Sequence, residues 1–153
     1  MHEKCTICPL LENPKHQILV TKYWAVNLGN DQLYLGRAFV TIREHKGSLG
    51  ELSEEEWADL GVVVRTLEKA YKEAFGAAPI NWTCMMNHSY KKDPVDPHIY
   101  WHVFPRYRNP VTLAGITFND DVYGEHYELD AVRDVSDEVV EEIATRLAPY
   151  LTI

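Results

Sequence analysis

The sequence predicts an α+β fold in which an antiparallel meander of short strands is covered by one long helix. Three observations carry this. Short runs rich in β-branched and aromatic residues, joined by tight links, fill the chain up to Ile42. A capped stretch with apolar residues at steps of three and four follows, and after it comes a proline-bracketed aromatic run, Pro97–Tyr107. Strands linked so tightly pair antiparallel, because a parallel pair needs a crossover of about a dozen residues or more.

Taken in order, residues 5–16 read as a loop or knuckle punctuated by Pro9 and Pro14, with no helix beginning at Pro9. Gln17–Val20 and Tyr23–Leu28 read as two strands around Thr21-Lys22. Leu28-Gly29-Asn30-Asp31 is a turn by composition, since Gly and Asn tolerate positive φ. Leu35–Ile42 is the next strand, and Arg43–Lys46 leaves its end. Ser53-Glu54-Glu55-Glu56 is a capping box, in which Ser accepts from the third helical N–H and Glu returns to the cap. Trp57, Leu60, Val64, Leu67, Tyr71 and Phe75 then form an amphipathic stripe, and Gly76 supplies the stop, so a helix is predicted over 54–75 with its stripe in the core. Pro79–Asn87 alternates as a strand, and His88–Asp96 is a polar loop delivering the chain to Pro97–Tyr107. The segment 108–130 is irregular, either a flap in which Asp120, Asp121 and Tyr123 close over a site or a surface excursion. Ser136 caps a second helix whose apolar face is Val139, Val140, Ile143, Leu147 and Leu151.

Composition narrows the function. With 153 residues and 46% hydrophobic content, the chain supports one domain with its own core, spanning 1–153. No apolar run approaches the roughly 18–20 residues of a membrane span, and Met1–Cys5 opens no signal-peptide pattern, so the cytoplasm is the expected compartment. A net charge of −8 argues against nucleic acid or an anionic membrane surface as a partner. It leaves room for a small anionic ligand, because a few local cations and backbone N–H groups suffice for phosphate. The cysteines are Cys5, Cys8 and Cys84, an odd number that argues against a disulfide framework. Cys5-x-x-Cys8 reads as a metal half-site or a redox pair. Metal is favoured, since a redox pair belongs at a strand-to-helix junction.

Within Pro97–Tyr107, a period of two puts His98, Tyr100 and His102 on one face. At roughly 3.3 Å per residue, His98 and His102 lie about 13 Å apart, too far to share an ion whose ligands sit at about 2.0–2.3 Å. The two histidines therefore have different tasks.

The run His98-Ile99-Tyr100-Trp101-His102-Val103-Phe104-Pro105-Arg106 resembles the signature of the histidine triad (HIT) superfamily, His-x-His-x-His with apolar residues between, often continued by Pro-Arg. His98 matches the first histidine and His102 the third; Tyr100 stands at the second, which in the family attacks the α-phosphate. The resemblance covers Cys5 to about Arg106 and leaves 108–153 as a C-terminal extension. It implies a five-stranded antiparallel sheet with the long helix packed on it, and a homodimer. It also implies a structural Zn²⁺ held by Cys5, Cys8, His45 and His98, a ligand set that the spacing by itself does not select. A nucleotide would lie against an early-strand pocket at Leu28 and its neighbours, with Asn27 or Asn30 meeting the ribose or either serving only the turn. His102 would donate to its phosphate and Asn87 would add a polar contact. Arg106 has the charge for phosphate, although a residue leaving a strand through proline is often a surface cation. Tyr100 and His102 would carry hydrolysis or transfer on a nucleoside phosphoramidate or dinucleoside polyphosphate, in weakened form because a phenol is mostly protonated at neutral pH. A nucleotide sensor or scaffold without turnover is the alternative.

Overall fold

The computed structural model describes residues 5–153; Met1–Lys4, which carry most of the reading of the N-terminus, lie outside the described residues. A short helix α1 (Cys8–Glu12) leads into β1 (Gln17–Val20), β2 (Trp24–Leu28) and β3 (Ala38–Ile42). Helix α2 (Glu54–Phe75), β4 (Ile80–Thr83) and β5 (Tyr100–Pro105) follow, then a hairpin of β6 (Val111–Leu113) and β7 (Ile116–Phe118), and finally α3 (Asp137–Leu147). The first five strands form one antiparallel sheet in the order β1-β2-β3-β5-β4. Strands β1 to β3 meander; α2 then carries the chain to the far edge, and β5 returns between β3 and β4.

Alternation assigns the two faces. Trp24, Val26, Val40, Ile42, Ile99 and Val103 turn inward against Leu60, Val63, Leu67, Ala70 and Tyr71 of α2, all within one core that also takes Leu113, Phe118, Val140, Ile143 and Leu147. The Trp24 indole N–H donates to the Glu56 carbonyl at 2.9 Å, pinning β2 to the first turn of α2. Both bonds of the Ser53/Glu56 capping box form, and Gly76 ends the helix at φ 72°. Gly36 sits at φ 84°, and a Cβ there would meet the Tyr71 ring at 2.6 Å, so only glycine lets α2 approach this turn.

The predicted helix bounds match, but its stripe starts later: Trp57 is exposed, and the first turn buries Glu56, paired with Lys46 at 2.6 Å. Residues 8–12 are helical where a loop was expected. Proline suits the first turn, and the Cys5 Sγ accepts from the Ile7 and Cys8 N–H groups at 3.4 Å, closing that turn. The 108–130 segment holds a hairpin whose turn residues Ala114 and Gly115 both have positive φ, a geometry that alanine does not advertise. The central strand begins at Tyr100, three residues later than expected. Arg106 is 2% exposed and not a surface cation. Its guanidinium donates to Asp120 at 2.7 and 3.0 Å, to Asn81 at 3.0 Å, and to the carbonyls of Val122 and Glu125 at 2.8 and 2.9 Å. It thereby fastens the late segment to the sheet.

Among the described residues, no helix is long and apolar enough to cross a membrane.

Candidate functional site

The sheet face opposite α2 carries the chemistry. At one end Cys5, Cys8, His45 and His98 converge, their ligand atoms all within 4.8 Å of one another. Cys5 Sγ lies 3.4 Å from His98 Nδ1, and Cys8 Sγ lies 3.4 Å from His45 Nδ1 and 3.6 Å from His98 Nδ1. Tetrahedral zinc, with Zn–S about 2.3 Å and Zn–N about 2.0–2.1 Å, gives a sulfur-to-nitrogen edge of about 3.6 Å. The donor set and its edges therefore fit such an ion. The outer nitrogens are engaged as metal-ligating imidazoles require: His98 Nε2 reaches the Ile42 carbonyl at 2.8 Å, and His45 Nε2 reaches Asp96 at 3.1 Å. Burial and the adjoining Cys5 sulfur push the Cys8 thiol up to about 11, and a bound cation would offset that cost for the thiolate.

Beyond this knot the strand row continues with Tyr100 and His102, ring centroids 5.1 Å apart. The register sets Phe39 and Thr83 directly across from His102 on its two neighbours. Phe39 packs edge-on against the imidazole at 5.2 Å, and Phe104 stacks parallel to it at 5.8 Å. Arg37, one position before β3, lies over the Phe39 and Phe104 rings at 5.8 and 5.0 Å and is held by Asp31. Its turn is fixed by buried Gln32, which bonds the Gly29 and Arg37 carbonyls and the Gly36 N–H. Burial, then Arg37 and His88, lower the His102 pKa to about 4. Its Nδ1 is buried without a hydrogen-bond partner among the described residues. Burial and neighbouring Cys84 raise the Tyr100 phenol above its ordinary value. Past Phe104 the face is filled, with Tyr127 stacked on that ring at 4.2 Å and its hydroxyl 2.6 Å from Thr83.

A cavity of about 430 Å³ opens beside Tyr100, bounded by Asn27, Leu28, Phe39 and Thr41 of the sheet and by Ile7, Leu10 and Leu11 at α1. Its polar end holds Lys15, His16 and Asn30. Asp137 gathers these three at 3.0, 3.1 and 2.9 Å, and Asn30 and Lys15 hold its carboxyl down at about 2. A larger groove of about 920 Å³ on the other side of α1 includes Lys22, Tyr23, Arg43 and His45 and does not reach Tyr100 or His102.

The fold thus gathers Cys5, Cys8, His45 and His98 in one cluster, Tyr100 and His102 in a second, and Asn27 and Leu28 along the adjoining cavity. Asn27 spends its side-chain N–H on the Lys15 carbonyl at 2.9 Å, and Asn87 is exposed and not part of the cavity wall. Asp120 serves Arg106, and Tyr123 donates to the Ala78 carbonyl at 2.7 Å, so neither closes over the site. Sequence reasoning missed Arg37, Thr83 and Tyr127. Arg37 precedes the strand proper, and Tyr127 meets Thr83 only through a contact across 44 residues.

No protein-family model matches the chain, and no curated protein matches it in sequence. Solved structures do match in fold. A Zn-bound histidine triad family protein from Mycobacterium smegmatis aligns with a TM-score of 0.65 at 20% identity, over 95% of this chain and 94% of that one. A hypothetical histidine triad nucleotide-binding protein from Sulfolobus tokodaii aligns with a TM-score of 0.69 at 17% identity, over 96% and 91%. The diadenosine triphosphate hydrolase of Plasmodium falciparum, solved with cyclomarin A, aligns with a TM-score of 0.62 at 19% identity, over 90% and 77%. The chain has the α+β fold of histidine triad proteins, with its five-stranded antiparallel sheet.

Proposed function

We propose that this chain is a single-domain, histidine-triad-like nucleotide-binding protein that engages an α-phosphate beside Tyr100 and His102 and carries a structural zinc at Cys5, Cys8, His45 and His98. The observation that carries the reading is the shared strand face: a four-donor Cys/His cluster and a Tyr/His pair follow one another along it, and a nucleoside-sized cavity opens beside Tyr100. In this reading the base and ribose occupy the cavity at Asn27, Leu28 and Phe39, and the phosphate meets His102 with Arg37 nearby. Zinc, once bound, closes a four-ligand coordination sphere and leaves no position for water, so it supplies structure and no nucleophile. Asn87 stays outside the proposed contacts. The fold's usual homodimer and a cytoplasmic setting complete the proposal.

The proposed chemistry is hydrolysis or transfer at the α-phosphate of a nucleoside phosphoramidate or dinucleoside polyphosphate, slowed by Tyr100. With an unperturbed phenol near 10 and imidazole near 6.5, transfer of the Tyr100 proton to His102 is uphill by about 3.5 powers of ten. Burial lowers His102 to about 4 and raises the Tyr100 phenol, and both shifts widen that gap before an anion binds. That gap favours a second reading, a nucleotide sensor without turnover. Thermal shift with adenosine and uridine nucleotides tests the shared part, since a ligand of the folded state must raise the melting temperature. No shift with any nucleotide rejects both readings. Release of nucleoside monophosphate from a phosphoramidate then separates enzyme from sensor.

A further inference from the structure

Helix α1 has an unusual position for its size. It has five residues, none of them buried, and Leu10 is 62% exposed to solvent although it borders the cavity beside Tyr100. A helix this short has no stability of its own, because isolated helices below about 12–15 residues are marginal in water. Its polar attachments to the rest of the fold, among the described residues, run from Cys5 and Cys8 to His98 and His45. A 3.5 Å contact from Lys92 to Thr6 adds to them. The metal-ligand set is thus the anchor of a segment whose other side, through Ile7, Leu10 and Leu11, is one wall of the ligand cavity.

We infer that metal occupancy and nucleotide affinity are coupled through α1: ligation of Cys5 and Cys8 positions Leu10 and Leu11 as contacts for the bound nucleoside, and loss of the metal opens the cavity. The inference rests on the nucleotide reading above and extends it, since a zinc that only stabilised the fold would leave affinity unchanged in a folded protein. Coupling between two sites is reciprocal, so the nucleotide must tighten zinc binding by the same factor by which zinc tightens the nucleotide.

The test measures adenosine monophosphate binding by titration calorimetry to the zinc-loaded chain, the chelator-treated chain and Leu10→Ser, with folding checked by circular dichroism. Removing zinc from the folded chain should weaken binding by about tenfold or more, within the range usual for allosteric coupling. Zinc-loaded Leu10→Ser should bind several-fold more weakly with unchanged metal content, and the same substitution should have no further effect once zinc is gone. Equal affinity with and without zinc in a folded chain overturns the inference, as does unaltered affinity in zinc-loaded Leu10→Ser. If chelation unfolds the chain, the Leu10→Ser comparison decides, because that side chain is exposed and its loss spares the core. Failure of the zinc-loaded wild type to bind overturns the nucleotide reading itself, and the coupling with it.

Discussion

Replacing Tyr100 by histidine installs the residue type that the proposed reading expects at the attacking position, and its effect follows from the environment of the ring. A phenol with an ordinary value near 10 is ionised in about one molecule in a thousand at pH 7. Burial and Cys84 raise Tyr100 further, so the reactive fraction is smaller still. A neutral imidazole at the same position is mostly in its nucleophilic form at pH 7, and the same burial keeps it neutral. The substitution therefore recovers at least about 10³ in nucleophile population, equivalent to ~4 kcal/mol of barrier. Rates should be read as release of adenosine monophosphate from adenosine phosphoramidate, with Tyr100→Phe as the blank. Any wild-type rate that uses the phenolate should rise about tenfold per pH unit between pH 6 and 9, whereas Tyr100→His should be flat above pH 7. A folded, nucleotide-binding Tyr100→His variant within about tenfold of wild type would falsify the placement of Tyr100 at the attacking position.

Other perturbations follow from the same structure. About one zinc per chain is expected by mass spectrometry under native conditions, and Cys5→Ser should lose it with a fall of ~10 °C in melting temperature; a metal-free chain as stable as the loaded one would refute the structural role. Arg106→Met leaves Asp120 buried without its partner, which costs about 3–5 kcal/mol, and urea denaturation showing less than about 1 kcal/mol would mean that the late segment is held by other contacts. His102 is held below its unfolded value of 6.5, at about 4, so its contribution to stability is complete above pH 6.5 and is lost as pH falls from 6.5 to 4. His102→Phe should flatten that part of the stability curve, and an unchanged slope would contradict the depressed value.

What could be read in advance was local. The α2 bounds followed from a cap, a stripe and a glycine, each acting within a few residues of where it is written. Sheet strands were legible from side-chain class, and their ends were not, because hydrogen-bonded partners decide where pairing stops. Cys5-x-x-Cys8 announced half of the four-donor cluster. The other half came from family resemblance, since His45 and His98 stand 37 and 90 residues from Cys8. Two readings of polarity turned on residue type used as a proxy for surroundings: Trp57 looked like core and is exposed, and Arg106, open to a surface reading, is buried because Asp120 pairs with it.

By itself the sequence determined the antiparallel α+β character, the long helix and the alternating row of His98, Tyr100 and His102, since periodicity is a property of neighbours along the chain. Only the tertiary structure decided that this row runs from a four-donor Cys/His cluster to an aromatic wall, that Arg37 flanks His102, and that α1 roofs the cavity. These depend on which strands lie side by side in the order β1-β2-β3-β5-β4, and that order is set by burial on both faces of a sheet whose partners are far apart along the chain.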